Sequence, residues 1–254
     1  MKAVRFTLAT LMALTALPSL AQTAAPAATP DYTLTGNLGI FSDYRFRGIS
    51  QTNKKPAIQG GIDFAMKNGL YLGNWNSNVD STQYTGANIE MDFYGGWKAT
   101  FGDFGLDIGG IYYYYPGSGD TGTKIDNGEI YIGGSWGPFT AKYFYAVTDF
   151  FGADDSDGSW YVTLGGAHDL GNGFGVNYSI GYQGLKGGAR AAEIGGSFPG
   201  PDNIVDYKLG ATYTIDGWAL GLAYVATNRD YAGYTRTDTN ISNGTALVSV
   251  TKSF

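Results

Sequence analysis

The sequence predicts an all-β protein, an antiparallel up-and-down transmembrane β-barrel of 12 strands. Three observations carry that expectation. From Tyr32 to Phe254, segments of about ten residues place apolar side chains on alternate positions, as strands with one apolar and one polar face require. Tiny turns alternate with long, acidic, Gly-rich loops, so the strands run up and down between two different environments. A leader of the export type precedes the first strand.

That leader is read from Lys2 and Arg5, a positive start, and from the apolar stretch Phe6 to Leu17. Pro18 breaks the stretch, and Ser19-Leu20-Ala21 supplies the small residues of a cleavage site, so residues 1–21 are expected to be a signal peptide. The stretch falls short of the roughly twenty apolar residues of a spanning helix. Residues 22–31, rich in Ala, Pro and Thr, are expected to be a flexible periplasmic lead-in to a barrel at 32–254.

Formal charge is −6 for the whole chain, and loss of Lys2 and Arg5 takes it to −8 because the leader holds no acid. Such a balance excludes nucleic acid as a partner, since that needs a basic patch. Cys is absent, as suits export into an oxidising compartment. The 40 Gly suit curved strands and tight turns, and the 20 Tyr suit a lipid–water boundary. No later segment is apolar enough for a spanning helix, so any crossing is made by strands.

In the first strand Leu34, Leu38, Ile40, Tyr44 and Phe46 share one parity, and Thr33, Thr35, Asn37, Asp43, Arg45 and Arg47 the other. A soluble sandwich alternates too, so the series decides. The second strand, Ala57 to Met66, sets Ile58, Ile62, Phe64 and Met66 against Gln59 and Asp63, and Lys67-Asn68-Gly69 then forms a tight turn. The third runs from Leu70 to Val79 with less regular alternation. The fourth alternates Ile89, Met91, Phe93 and Trp97 with Asn88, Glu90, Asp92 and Tyr94. After Gly102-Asp103, the fifth places Leu106, Ile108, Tyr112 and Tyr114 opposite Asp107. Gly128–Trp136 and Phe139–Thr148 meet at Gly137-Pro138. Ser159–His168 and Phe174–Gly184 meet at Asp169 to Gly173. Ile204–Thr214 and Trp218–Thr227 meet at Ile215-Asp216-Gly217, and Asn243–Phe254 closes the set.

Short connections follow strands two, four, six, eight and ten, and long ones follow the odd-numbered strands. Barrels keep short turns periplasmic and long loops outside, which puts both chain ends in the periplasm. Phe254, with Val248 and Val250 at the same parity, is the terminal aromatic expected to be read by the barrel assembly machinery, although Lys252 departs from the apolar pattern.

The stretch Ser42-Asp43-Tyr44-Arg45-Phe46-Arg47-Gly48-Ile49-Ser50-Gln51 resembles the opening motif of the TorF family. Pro56 to Asp63, Gly69-Leu70-Tyr71, Trp75 to Asn78, Ile89 to Gly96 and Tyr113 to Pro116 continue it. The resemblance is dense over residues 36–116 and fades into generic barrel pattern. It implies an outer-membrane pore without an established substrate.

With apolar faces toward outer-membrane lipid, the opposite faces line a lumen. The acidic lumen candidates are Asp43, Asp63, Glu90, Asp92, Asp107, Glu129 and Asp206, and the basic ones Arg45, Arg47, Lys142 and Lys208. Charge inside a pore sets ion preference. Seven acids against four bases predict a mild preference for cations among small hydrophilic solutes or ions, and Asp149, Asp154, Asp155 and Asp157 at the outer mouth add to it. The competing reading is that acids and bases pair across a narrow lumen, for instance Asp43, Arg45 and Arg47 facing Asp63. Twelve strands leave a modest bore, which an inward-folded loop would close.

Tyr112 to Tyr115 are expected in an aromatic girdle rather than a stacking track. An enzyme is the second class, and a lipid hydrolase needs a nucleophile with a base. The single His, His168, sits beside a periplasmic turn at lipid-facing parity, so no catalytic residues, cofactor or metal ligands are expected. A third class is a structural or adhesion barrel without an open path, working through Asp149–Gly158 or Leu185–Asp202.

Overall fold

The computed structural model describes residues 30–84, 86–119, 124–190, 203–229 and 240–254. The expected signal peptide and most of the lead-in lie outside these residues.

Twelve strands close into one antiparallel barrel. They are β1 (Tyr32–Phe41), β4 (Ala57–Met66), β5 (Leu70–Asn78), β6 (Ile89–Phe101), β7 (Phe104–Tyr114) and β8 (Asn127–Trp136). The second half comprises β9 (Phe139–Ala146), β10 (Trp160–Gly171), β11 (Phe174–Gly184), β12 (Ile204–Ile215), β13 (Trp218–Thr227) and β14 (Thr245–Ser253). Each strand pairs with its sequence neighbour in the barrel, and β1 pairs with β14 to close it. Two further strands, β2 (Arg45–Phe46) and β3 (Ile49–Ser50), form a separate two-stranded hairpin in the first long loop.

The turns between strands show why the sequence reverses where it does. Asn172 and Gly173 have φ of 53° and 83°, and Asp216 and Gly217 have 50° and 74°. Two successive left-handed residues match the right-handed twist of a hairpin, and Asn-Gly and Asp-Gly enter that region at least cost.

Along each strand, exposure alternates. Leu34, Leu38 and Ile40 of β1 are exposed, as are Ile58 and Ile62 of β4 and Leu220, Leu222 and Tyr224 of β13. Gln59, Glu90, Asp92, Asp107, Glu129, Thr163, Asp206, Thr212 and Ser249 on the opposite parity are buried. Polar side chains buried inside and large apolar ones exposed outside is the inverse of a soluble sandwich, and it is stable only where lipid is the outer solvent. Exposed aromatics ring both ends of the wall: Tyr112, Tyr143, Tyr182 and Tyr207 toward the long loops, and Trp97, Trp136, Phe139, Phe174 and Trp218 toward the short turns.

The interior is packed rather than empty. Phe41, Tyr44, Val79, Ile111, Tyr113, Tyr115, Tyr131, Phe144 and Tyr161 form one buried cluster, with Phe46, Trp75, Tyr94 and Phe151 against it. Several inward rings lie over a glycine of the adjacent strand, since Gly73 faces the Tyr94 ring and Gly109 the Tyr131 ring. The missing side chain there is the space the ring occupies.

The seam is uneven. β1 pairs with β4 from Tyr32 to Phe41, but with β14 only from Asn37 to Phe41. Beyond it the first loop continues the closure: Ser42 donates its backbone N–H to Val248, and Ser50 donates its own to Ile241.

Candidate functional site

The first loop folds back into the barrel mouth, which corrects the reading of the first strand through Arg47. β1 stops at Phe41, and Tyr44 and Phe46, expected on the lipid face, lie inside instead. Tyr44 is 8% exposed and stacks edge-on against Trp75 at 5.3 Å, while Phe46 meets Tyr113 and Phe151 at 5.6 and 5.8 Å. The physical reason is that this lumen is lined with rings, so an apolar side chain is as well solvated inside as outside.

The hairpin turns at Arg47 and Gly48, with φ of 46° and 84°. For Gly48 that conformation is free, and its backbone lies so close to Asp206 and Thr227 that a Cβ would come within 2.9 and 3.0 Å of theirs. For Arg47 it costs about 1–2 kcal/mol, so something must hold the tip in place.

What holds it is a cage. The Arg47 guanidinium donates to Glu129 Oε2 at 2.6 Å and to Gln183 Oε1 at 2.5 Å. It lies 4.3 Å from the Tyr161 ring centre and 4.7 Å from that of Phe46, with Phe144 and Phe150 at 5.5 and 5.8 Å. Gln183 is fixed from behind, because its amide donates to the Trp160 and Gly184 carbonyls. Burial works against the Arg47 charge, but the adjacent Glu129 carboxylate raises its pKa above the ordinary value, so the guanidinium stays ionised.

Asp43 and Arg45 are not side chains on a strand face but the knot of this loop. Asp43 accepts from Arg45 Nε at 2.7 Å, Ser50 Oγ at 2.6 Å and Thr52 Oγ1 at 3.0 Å. Arg45 also donates to the carbonyls of Gly48, Ile241 and Asn243, which ties the first loop to the last.

Acids and bases do pair in the lumen, with partners other than those expected. Asp63 meets no loop arginine among the described residues; it accepts from Tyr94 Oη at 2.6 Å. The same device recurs: Tyr44 donates to Glu90 (3.0 Å), Tyr71 to Asp107 (2.6 Å), Tyr113 to Glu129 (3.2 Å) and Tyr161 to Asp206 (3.0 Å). Each of these carboxylates thus accepts a hydrogen bond from a phenol. Asp92 lies beside Glu90 on β6, with Oδ1 lacking a hydrogen-bond partner among the described residues. Lys142 binds Asp107 at 3.0 Å and sits 3.6 Å from the Tyr131 ring centre. Lys208 is half-buried and has no carboxylate partner among the described residues.

Two inward cations escaped the sequence reading. Lys98 lies opposite Asp107 in register and 4.3 Å from the Tyr71 ring centre, and Arg229 is 5% exposed just past β13. Lys98 shares the parity of Glu90 and Asp92, and that signal was available. With them the seven acids face six bases. Glu90, Asp92, Glu129 and Asp206 sit near the loop ends of their strands, and Asp107, Lys98 and Lys142 nearer the turn ends.

The Tyr112–Tyr115 run divides by parity. Tyr112 and Tyr114 are exposed on the outer wall, while Tyr113 and Tyr115 are buried at 1% and 2%. The girdle therefore takes half of the run and the lumen the other half. His168 lies on the outer wall against Tyr178 Oη (3.2 Å) and the Phe139 ring. Phe254 is exposed, with its ring over Gly36.

Comparison with known structures returns porins. A KdgM porin aligns with TM-score 0.55 at 10% identity, covering 87% of this chain and 99% of that one. A KdgM porin in complex with disordered oligogalacturonate gives 0.52 at 10% identity, covering 87% and 98%. A NanC porin gives 0.52 at 10% identity, covering 87% and 99%. At such identity the likeness establishes the fold alone: a closed barrel of the kind porins use, which are channels rather than enzymes. No curated protein matches the sequence. A family model described as "Bacterial protein of unknown function (Gcw_chp)" matches residues 24–254.

Proposed function

Since the chain belongs to the Gcw_chp family, whose description names no activity, we propose from its geometry that it is an outer-membrane channel for ions or small hydrophilic solutes. The observation that carries this reading is the division of one closed barrel into a continuous apolar outer wall and an inner wall of charged and phenolic side chains. A barrel that only anchored loops would have no need of charge from Glu90 to Lys142, because a buried charge is costly unless solvated. The TorF resemblance supports the same reading, and its opening motif, Ser42–Gln51, carries the hairpin that narrows the mouth.

The bore is narrow at rest, and passage follows movement of that hairpin. A mild cation preference is part of the proposal. Seven inward acids against six bases leave a small surplus, and Asp149, Asp154, Asp155 and Asp157 extend it at the outer mouth. Export through a cleaved leader, and recognition of Phe254 by the assembly machinery, belong to the same proposal.

Planar-bilayer recording of the refolded mature chain tests it. Discrete conductance steps are expected, with a reversal potential on the cation side under a salt gradient that moves toward zero in Glu90→Gln/Asp92→Asn. Absence of both conductance and liposome swelling would sink the channel. The packed outer half of the lumen would then favour the second reading, a barrel that works through its external loops.

A further inference from the structure

Arg47 reaches its cage from a loop, whereas Glu129, Gln183, Tyr161 and Phe144 stand on barrel strands and do not depend on the hairpin for their positions. We propose that this cage in the outer half of the lumen is a binding site for an organic cation, a guanidinium or alkylammonium solute, and that Arg47 occupies it as a built-in competitor.

The walls fit that class. The Glu129 side chain is fully buried, so its charge must be met by a cation rather than by water. Its second oxygen, Oε1, has no hydrogen-bond partner among the described residues, leaving one acceptor beyond those Arg47 uses. Gln183 offers an oxygen locked in place by two backbone contacts of its own amide. Of the aromatic faces around the guanidinium carbon, Tyr161 at 4.3 Å and Phe144 at 5.5 Å belong to the barrel wall, with Phe150 at 5.8 Å beside them, the arrangement that recognises a weakly hydrated cation. A bare metal ion is a poor fit, because one carboxylate and one amide oxygen among rings fall short of the six or more oxygens that calcium or magnesium demands. An anion is excluded by Glu129 and by Asp206, which lies against the hairpin tip at Gly48.

The competitor is held under strain. Arg47 is in the left-handed region, and the hairpin that carries it has a ladder of only two residue pairs. Its docking rests on the cage and on the Arg45 and Ser50 contacts to residues 241–243, so a solute that takes the cage removes one of two holds and favours release of the hairpin. The ligand shifts the docked and released states by its differential affinity for them. That such a solute then crosses the barrel rests on the channel reading; binding does not.

The test uses the refolded mature chain in detergent, with methylguanidinium and tetramethylammonium chlorides as probes and sodium chloride at equal ionic strength as control. Arg47→Ala empties the cage. Saturable tryptophan-fluorescence titration by at least one organic cation is expected, at least tenfold tighter than in the parent, together with a rise in the thermal midpoint. Adding Glu129→Gln to Arg47→Ala should abolish both. A folded Arg47→Ala that binds neither probe, binds them no better than the parent, or binds them as well with Glu129→Gln overturns the proposal. Should Arg47→Ala not fold, the parent carrying Ser50→Cys serves instead, since Ser50 is fully buried in the hairpin. Methylguanidinium is then expected to speed maleimide labelling at that position severalfold over sodium, and an unchanged rate overturns the proposal. Binding without any conductance would sink the channel and leave this site standing.

Discussion

Glu129→Gln puts the docking of the hairpin on a numerical footing. The Arg47–Glu129 pair has side-chain exposures of 8% and 0% and an N–O distance of 2.6 Å, so it is a buried pair. Removing one partner of such a pair costs about 3–5 kcal/mol, because the other charge is left uncompensated. Glutamine still accepts one hydrogen bond, which argues for the low end, about 3 kcal/mol. Release of the hairpin avoids that cost and also relaxes the left-handed Arg47. At about 1.4 kcal/mol per decade, the ratio of released to docked hairpin should rise by about 150-fold. The chain has no Cys, so Ser50→Cys introduces a single reporter, fully buried when the hairpin is docked. With opening and closing fast relative to labelling, the maleimide rate follows the released fraction, and Glu129→Gln should raise it by about two decades. Asp63→Asn, which loses a carboxylate bound to Tyr94 away from the hairpin, should leave it unchanged. A folded Glu129→Gln that labels within about threefold of the parent would refute the energetic account, since threefold corresponds to well under 1 kcal/mol.

Two predictions concern the wall. Gly109→Ala would place a Cβ 2.6 Å from Tyr131 Oη and 2.5 Å from the Gly95 carbonyl oxygen, backbone that cannot retreat. We expect a loss of about 1–3 kcal/mol in urea unfolding from detergent or vesicles, whereas Gly102→Ala, with open space around its Cβ, should show no packing loss beyond the cost of its positive φ. Leu209→Arg, at a position 64% exposed in the middle of β12, should cost about 2–4 kcal/mol for refolding into vesicles. An equally stable Leu209→Arg would mean that this wall does not meet lipid.

The strands were legible because period two persists wherever one face meets lipid. Ala57–Met66, Phe174–Gly184 and Trp218–Thr227 appear with the bounds their alternation implies. The hairpin was not, and the cause is chemical. Parity separates lipid from lumen only if the lumen is polar, and here Tyr44, Phe46, Tyr113 and Phe144 make part of it aromatic. One available signal was length. A first strand running from Tyr32 to Arg47 would hold 16 residues, against the roughly 9–11 that a tilted strand needs to cross a bilayer. Gly48, between Arg47 and Ile49, was the other. The phenol partners of the inward carboxylates were legible only in part. Tyr113 and Glu129 stand diagonally on paired strands, but Tyr94 and Asp63, Tyr71 and Asp107, and Tyr161 and Asp206 each sit two strands apart.

The short seam between β1 and β14, bridged by Arg45 and Ser50 reaching residues 241–243, gives the molecule an order of events. Those contacts join parts of the chain separated by 196 and 198 residues, so they cannot form until the last strand has arrived. A nascent barrel therefore has only the cage to hold its hairpin for as long as it remains unclosed, and full seating of the hairpin marks completion. An assembly intermediate trapped before β14 docks should hold the hairpin less firmly and label faster at Ser50→Cys, which makes the hairpin a timestamp of maturation as well as a part of the barrel.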